Sequence, residues 1–185
     1  KEIFWADKET GLSKSFWLRA IGWFLCSIVD VYEHLQDEKA KQYFKNLFEK
    51  SITGILNYMD KPSCMFYQVV DKKDKPGNYL ETSGSAMVAY SILKGVRLEM
   101  LELKYHQIGH EIYEGITRRY FKCQDNTFTL GGICLVAGLG PKDNIRRDGT
   151  YQYYISEPIV ENESKGIAPF IMAYIELKKS QVQVL

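Results

Sequence analysis

A short segment near the start of the chain combines an arginine with two tryptophans at helical spacing. Arg19 and Trp23 are four residues apart and would share one face of a helix at its first turns, and Trp17 lies beside them. An arginine offers a planar fork of donors that suits a carboxylate, and large aromatic rings form walls that stack against sugars. These residue types are what a binding site for an acidic sugar requires. The alternative is a tryptophan-rich core helix in which Arg19 pairs with a buried acid.

A second candidate segment, Glu81–Met87, carries small and hydroxyl-bearing residues at the predicted start of a later helix. Thr82 or Ser83 is expected as the N-cap. Hydroxyl groups and free backbone N–H groups at a helix start favour an anionic or hydroxyl-rich ligand. Gly84 and Ala86 would let another helix approach closely. Capping and packing alone would account for the same residues.

A third candidate segment is the glycine- and charge-rich stretch over residues 137–165. Gly138-Leu139-Gly140 is followed by the basic pair Arg146-Arg147, by Asp148, and by three tyrosines within 151–154. Loops of this length in compact domains are usually functional or disordered. The stretch fits no phosphate-cradling motif, so we interpret it as one wall of a polar pocket.

Metal and thiol chemistry have weaker support. His106 and His110 are four residues apart, a spacing that can hold zinc, but the H-E-x-x-H form is absent and a solvated outer helix is the favoured interpretation. No Ser-His-Asp or Cys-His arrangement can be argued. The four cysteines form no C-x-x-C pair, and we expect reduced thiols that are mostly buried. They are Cys26, Cys64, Cys123 and Cys134.

Composition limits the protein class. The chain has 185 residues, which predicts a single domain over 1–185. Its 24 basic and 23 acidic residues give a formal net charge of +1, which argues against a nucleic-acid partner. No apolar run approaches the roughly 18 residues of a membrane span, so no membrane partner is expected. Aromatic residues make up 14%, which is consistent with sugar-stacking surfaces and equally with core filling.

The elements that must position these residues are mainly helices. Apolar periodicity predicts helices over about 15–35, 38–59, 83–101, 103–121 and 168–178, with irregular chain over 1–14 and a Thr10-Gly11 turn. Residues 65–70 are predicted as a short strand within the connection 63–80, and residues 128–136 as extended chain.

The predicted helices alternate in character. The first, third and fifth are largely apolar, whereas the second and fourth have one strongly polar face. Inner and outer helices of a double-layered toroid would alternate in this way, and a simple bundle would be more uniform. Five helices cannot close such a ring. The sequence also opens with Lys1-Glu2-Ile3-Phe4, without Met, and we expect further sequence upstream.

Several motifs, in order along nearly the whole chain, resemble glycoside hydrolase family 105, the unsaturated rhamnogalacturonyl hydrolases. The unsaturated glucuronyl hydrolases of family 88 are similar but match less well. The motifs that carry the resemblance are Phe16–Trp23, Glu81–Met87, and Gly138–Gly140 with Arg147-Asp148-Gly149.

This resemblance implies an all-α fold, the (α/α)6 toroid, with this chain forming its C-terminal portion. It implies that a 4,5-unsaturated uronic acid is removed from the non-reducing end of an oligosaccharide made by a polysaccharide lyase, with no metal or organic cofactor. Trp17, Arg19 and Trp23 match the family segment that lines the uronate subsite, where Arg19 would pair with the carboxylate. Ser83 and Arg147 match motifs near the mouth of the toroid.

The resemblance also places the family's catalytic Asp and a supporting His upstream of the residue that matches Lys1, so the general acid is expected outside this sequence. Without that upstream sequence the ring would be open, and its exposed inner helices would favour association with another copy of the chain or with the missing N-terminal half. The alternatives are an unsaturated glucuronyl hydrolase acting on another lyase product, or a non-catalytic carbohydrate-binding half-toroid. The compartment stays open between cytoplasm and periplasm.

Overall fold

A computed structural model describes residues 5–182 of the chain, and the side chains up to residue 179. Within these residues the chain is mainly helical, with short strands between the fourth and last helices. In chain order the elements are α1 (Leu18–Tyr32), α2 (Glu38–Leu56), α3 (Thr82–Arg97), α4 (Lys104–Tyr120), β1 (Phe121–Gln124), β2 (Thr127–Leu130), β3 (Ile133–Cys134), α5 (Tyr151–Ser156), β4 (Ile159–Val160) and α6 (Ser164–Val182).

Helix α3 lies at the centre of the molecule and is buried along nearly its whole length. It packs against α1 on one side, α6 on the other and α4 behind. The approach of α1 is close, because a Cβ atom on Gly22 would come within 2.8 Å of the Met87 Cβ atom. Gly84 faces the Leu18 side chain in the same contact, which confirms the predicted packing role of Gly84.

The helices form two layers, as predicted from their alternating polarity. Helices α1, α3 and α6 form the inner layer, α2 packs on α1, and α4 packs on α3 and α6. The two helices at the edges of the inner layer keep exposed apolar stripes. On α1 the stripe contains Trp23, Phe24 and Val31, and on α6 it contains Ile171, Tyr174 and Ile175.

The segment over residues 65–70 is extended but is not a strand of a sheet, so the predicted strand is wrong. It forms single bridges instead, Trp17 with Val69 and Tyr67 with Leu80. The backbone N–H of Leu18 donates to Gln68 O at 3.0 Å, and Glu81 N–H donates to Phe66 O at 2.9 Å. The segment therefore ties the start of α1 to the start of α3, and its hydrogen bonds go to the first residues of these two helices rather than to a partner strand.

The predicted long loop over 137–165 contains regular structure that the sequence pattern did not indicate. Helix α5 is capped by Thr150, whose side chain accepts from Tyr153 N–H, and β4 pairs with β3 in an antiparallel register. A helix of one and a half turns is too short to show a periodic pattern. Burial of Tyr153 and Tyr154 against Val69 holds it in place.

Other boundaries move by a few residues. Helix α6 begins four residues earlier than predicted, because the Glu163 carboxylate accepts from Lys165 N–H and starts the helix ahead of Pro169. The hairpin of β1 and β2 was not predicted, and Asp125 and Asn126 turn it with positive φ angles.

The cysteines are free, but fewer are buried than predicted. Cys26 and Cys134 are buried, Cys64 is partly exposed and Cys123, on the outer hairpin, is exposed. Among residues 5–182, no helix is long and apolar enough to cross a membrane. The expectation of irregular chain over 1–14 lies partly outside the described residues, and from residue 5 onward that stretch has no regular helix or strand.

Candidate active site

The starts of α1 and α3 meet at a buried arginine. Only 1% of Arg19 is exposed. Its Nε atom donates to Ser83 Oγ at 2.8 Å, its Nη2 atom donates to the carbonyl oxygen of Cys134, and Nη2 lies 3.7 Å from Glu81 Oε1. Arg19 thus has the buried acidic partner that the sequence left open as an alternative. Among residues 5–179, none accepts a hydrogen bond from its remaining nitrogen, Nη1.

Glu81 holds this cluster together. It is fully buried, and its Oε1 atom accepts from Ser83 Oγ at 2.6 Å, Ser83 N at 3.1 Å and Cys134 N at 3.1 Å. Its Oε2 atom accepts from Gly84 N at 2.7 Å. The N-cap of α3 is therefore Glu81, and the prediction of Thr82 or Ser83 is wrong.

Two physical reasons explain the shift of the cap. Glutamate is not among the favoured N-cap residues, but here Arg19 and Cys134 N–H stabilise its carboxylate in the capping position. The Thr82 hydroxyl is used elsewhere, because it donates to Gly131 O at 2.7 Å and fixes the chain that leads into β3.

An aromatic wall stands beside the arginine. The Arg19 guanidinium lies 5.7 Å from the centre of the Trp17 ring, and Trp17 stacks on Tyr154 with 5.7 Å between ring centres. The Trp17 Nε1 atom is buried and has no hydrogen-bond partner among residues 5–179. Burial, followed by the neighbouring Tyr153, raises the pKa of Tyr154 to about 12, so its hydroxyl stays protonated near neutral pH.

The structure separates Trp23 from this cluster. Arg19 and Trp23 are on successive turns of α1, but Trp23 is 52% exposed and belongs to the open stripe of that helix. Trp17, Arg19 and Ser83 are brought together, and Trp23 lies along the same helix on the side that the described residues leave uncovered.

Arg147 lies in the loop that leads to α5. The side chain that forms an ion pair there belongs to its neighbour, Arg146. Arg146 Nη2 lies 3.1 Å from Glu157 Oε2, and its guanidinium covers the Tyr153 ring at 5.9 Å. Arg147 contributes its backbone, because its carbonyl accepts from Gly140 N–H and its own N–H donates to Asn144. Gly140 therefore closes the loop onto Arg147, and the Arg147 side chain is partly exposed.

Several buried polar residues of this region were not predicted from the sequence. Gln68 Nε2 donates to Cys134 Sγ at 3.2 Å and to Tyr154 O at 3.3 Å, whereas Gln68 Oε1 and the Tyr79 hydroxyl are buried without partners among residues 5–179. Burial is the main reason that the pKa values of Tyr79 and Cys134 are raised, so both groups stay neutral. The signal for Gln68 was its position as the single amide in an otherwise apolar run.

The remaining features are less suited to polar chemistry. A cavity of about 440 Å³ lies between α4, the β1–β2 hairpin and α6, and its walls are almost entirely apolar, with Phe121, Phe128 and Phe170 among them. Within residues 5–182, no group of three or more His, Cys, Asp or Glu side chains could hold a metal ion, and His106 and His110 lie on the outer helix α4.

The cluster around Arg19 is thus a fixed guanidinium next to a tryptophan wall, and within residues 5–179 its Nε and Nη2 atoms are hydrogen-bonded whereas Nη1 is not. A family model described as Glycosyl Hydrolase Family 88 matches residues 1–181. The chain belongs to this family. The stated resemblance to family 105 is also confirmed, because a family 105 glycoside hydrolase from Clostridium acetobutylicum is 42% identical, with a TM-score of 0.90.

The same comparison shows how much of a longer enzyme this family 88 chain matches. The match covers 95% of the chain and 49% of the Clostridium enzyme, so the chain spans about half the length of the solved structures it matches. The fold class is therefore the α/α toroid, of which this chain forms a portion.

More distant structures support the fold alone. A possible family 105 member from Salmonella enterica has a TM-score of 0.75 at 21% identity, covering 95% of this chain and 43% of its own. The unsaturated glucuronyl hydrolase from Bacillus sp. GL1 has a TM-score of 0.65 at 14% identity, and the match covers 90% of this chain and 40% of that enzyme.

Among curated proteins, Protein Atu3128 of Agrobacterium fabrum is 34% identical over 177 residues, which are 93% of this chain and 76% of that protein.

Proposed function

We propose that this chain carries the uronate-binding part of an unsaturated uronyl hydrolase that acts on rhamnogalacturonan-lyase products. The observation that supports the proposal most strongly is the state of Arg19, whose guanidinium is fixed by Ser83, Cys134 and Glu81 while Nη1 has no hydrogen-bond acceptor among the described side chains. Membership of a glycosyl hydrolase family supports hydrolysis of a sugar linkage. The 42% identity to a family 105 enzyme favours the rhamnogalacturonyl type over the glucuronyl type.

In this proposal, Arg19 and the tryptophans recognise the unsaturated uronate. Nη1 donates to the carboxylate of the sugar, and a charge-assisted bond of this kind is about twice as strong as a neutral one. Trp17 forms the flat wall next to the guanidinium. Trp23, which is exposed on the next turn of α1 and lies outside the cluster, would contact only a part of the ligand that extends away from Arg19. Because Arg19 is almost completely buried, only the edge of its guanidinium meets the ligand.

Ser83 and Arg147 have supporting roles in the same proposal. The Ser83 hydroxyl accepts from Arg19 Nε and donates to Glu81, so both of these hydrogen bonds orient the arginine. Arg147 lies in the loop that borders α5, and its partly exposed side chain extends the positive charge at the mouth of the site.

The reaction would be hydration of the sugar double bond. A general acid delivers a proton to C4 while water adds at C5, which produces a hemiketal. The hemiketal opens by cleavage of the bond between C5 and the ring oxygen, which leaves a ketone at C5 and a hydroxyl on C1. The resulting hemiacetal at C1 then breaks down to an aldehyde and releases the leaving sugar as an alcohol. In this proposal the proton is supplied by the catalytic Asp that the family resemblance implies, and the described residues contribute the uronate-binding groups. A general acid of this kind typically contributes about 10²–10⁴ in rate.

The proposal is tested with an unsaturated galacturonyl-rhamnose disaccharide. Hydration removes the conjugated double bond, so its ultraviolet absorbance falls if the complete site is present in the sample. Binding to this chain is measured separately by titrating its tryptophan fluorescence. An unsaturated glucuronyl disaccharide from a glycosaminoglycan is the matched control, and tighter binding of that control would overturn the proposed substrate class. Absence of binding by either disaccharide would overturn the assignment of the uronate site.

A further inference from the structure

We infer that Glu81 is a positioning residue of this site, which acts on the ligand through Arg19. The inference rests on the proposed function and adds a residue to it. Glu81 itself is fully buried, and both of its carboxylate oxygens accept hydrogen bonds from protein groups. It therefore cannot bind the substrate directly, and its effect must be transmitted by a group that does.

The first step of the argument is the convergence of chain segments on one carboxylate. Glu81 Oε1 accepts from Ser83 Oγ at 2.6 Å and from Cys134 N at 3.1 Å, and it lies 3.7 Å from Arg19 Nη2. These partners belong to the start of α3, to β3 and to the start of α1. One side chain thus fixes the relative positions of the three elements that surround the arginine.

The second step concerns the orientation of the guanidinium. Arg19 Nε donates to Ser83 Oγ at 2.8 Å, and that same hydroxyl donates to Glu81. Arg19 Nη2 donates to the carbonyl of Cys134, whose own N–H is bound by Glu81. Both acceptors of Arg19 are therefore themselves held by Glu81. These bonds also fix the direction of Nη1, which donates to no acceptor within residues 5–179.

The third step is the charge balance. A buried arginine without a counter-ion carries a large desolvation cost, and Glu81 is the one carboxylate within 4.0 Å of Arg19 among residues 5–179. Loss of the negative charge would leave Arg19 buried and uncompensated. We expect the guanidinium then to leave its position and seek solvent, with loss of the Nη1 direction that the ligand requires.

The test compares Glu81→Gln with a matched control at the opposite end of α3. Glu176 is a buried glutamate of α6 whose Oε2 atom accepts from Arg97 Nε at 2.6 Å, so Glu176→Gln also neutralises a buried glutamate–arginine pair. Arg97 is the last residue of α3, on the order of 20 Å from Glu81 along the helix axis. Both variants are expected to unfold at a lower temperature than the wild-type chain.

The first readout does not depend on the ligand. Phenylglyoxal modifies accessible arginines, and mass spectrometry of peptides measures the rate at Arg19 and at Arg97. We expect Glu81→Gln to raise the rate at Arg19 about tenfold or more and Glu176→Gln to raise it only at Arg97. Glu81→Asp, which restores the charge, should restore most of the protection of Arg19. Unchanged protection of Arg19 in Glu81→Gln would overturn the inference.

The second readout is the dissociation constant of the unsaturated galacturonyl-rhamnose disaccharide. We expect Glu81→Gln to weaken binding about tenfold and Glu176→Gln to leave it unchanged. Ser83→Ala is a milder second variant, and it should weaken binding in the same direction if Glu81→Gln does not fold. Equal binding by the wild-type chain and folded Glu81→Gln would overturn the positioning role and leave the proposed function standing. Absence of binding by the wild-type chain would instead overturn the proposed function.

Discussion

The guanidinium of Arg19 is held by groups that lie far from it in the sequence. Ser83 is 64 residues away and Cys134 is 115 residues away. A lysine could not reproduce this arrangement, because an ammonium is a single charged point and lacks the planar fork that reaches two acceptors at fixed angles. The chemistry proposed for the site therefore depends on the shape of the arginine as well as on its charge.

We expect Arg19→Lys to weaken binding of the unsaturated disaccharide about tenfold and to lower the unfolding temperature. The matched control is Arg97→Lys, which alters another arginine paired with a buried glutamate and should lower only the unfolding temperature. Fluorescence titration and thermal unfolding of both variants measure these effects. Unaltered affinity in Arg19→Lys would remove Arg19 from the carboxylate role.

The sequence predicted part of this site and missed the rest for identifiable reasons. Trp17, Arg19 and Trp23 were proposed from their residue types and from the four-residue spacing of Arg19 and Trp23. The structure places Trp17 beside Arg19 and Trp23 apart from both. Glu81 was not predicted as the N-cap, because glutamate is stabilised in that position here only by partners that are distant in the sequence. Gln68 and Tyr79 become neighbours of the cluster only through the bridges of the extended segment 65–70.

At the scale of elements, the close contact of α1 with α3 positions the arginine over the start of α3. Gly22 makes this contact possible, because the Met87 side chain fills the space where a Cβ atom would lie. The helix periods and the alternation of polarity were sufficient to predict these two helices and their inner position. The sequence did not indicate α5 or β4, since a six-residue helix and a two-residue strand depend on tertiary packing rather than on a local pattern.

We expect Gly22→Ala to lower the free energy of unfolding by about 1–3 kcal/mol, because the added methyl group overlaps Met87 and must force the helices apart. Gly54→Ala on α2 is the control, since no atom lies within 4 Å of its Cβ position and alanine is the better helix former. That variant should gain up to about 1 kcal/mol. Urea unfolding of the two proteins gives both values, and stabilisation by Gly22→Ala would contradict the close-packing account.

At the scale of the whole molecule, an ion network joins the three inner helices at the end away from Arg19. Lys94 of α3 lies 2.8 Å from Asp30 and 2.9 Å from Glu33, both on the α1 side. Arg97 contacts Glu33 at 3.2 Å and Glu176 of α6 at 2.6 Å. The inner layer is thus held by the Arg19–Glu81 cluster at one end and by this network at the other.

The network predicts a loss of stability in acid. The hydrogen bond from Lys94 is the main cause that lowers the pKa of Glu33. Burial alone would raise the pKa of Glu176, but hydrogen bonds from Arg97 and Lys179 outweigh it and lower the pKa below the ordinary 4.5. A carboxylate with a lowered folded pKa contributes its full stability above the unfolded pKa and loses it as the pH falls further.

We therefore expect the contribution of these carboxylates to be constant from neutral pH down to about pH 5 and to decline below it. Thermal unfolding of the wild-type chain and of Glu176→Gln across this range measures the effect. The variant should start lower at neutral pH and fall less steeply in acid, because it has one fewer carboxylate to protonate. Parallel curves for the two proteins would show that Glu176 does not contribute.

The long sequence separations around Arg19 also bear on how the protein folds during synthesis. Helices close only local loops and form early, whereas a contact across 115 residues must first overcome a larger loop-closure entropy. On the ribosome, α1, α2 and α3 leave the exit tunnel well before Cys134 does. We therefore expect Arg19 to meet Glu81 and Ser83 before its carbonyl acceptor is available. The proposed binding surface would then be complete only after β3, which contains Cys134, has emerged and packed against the centre of the molecule.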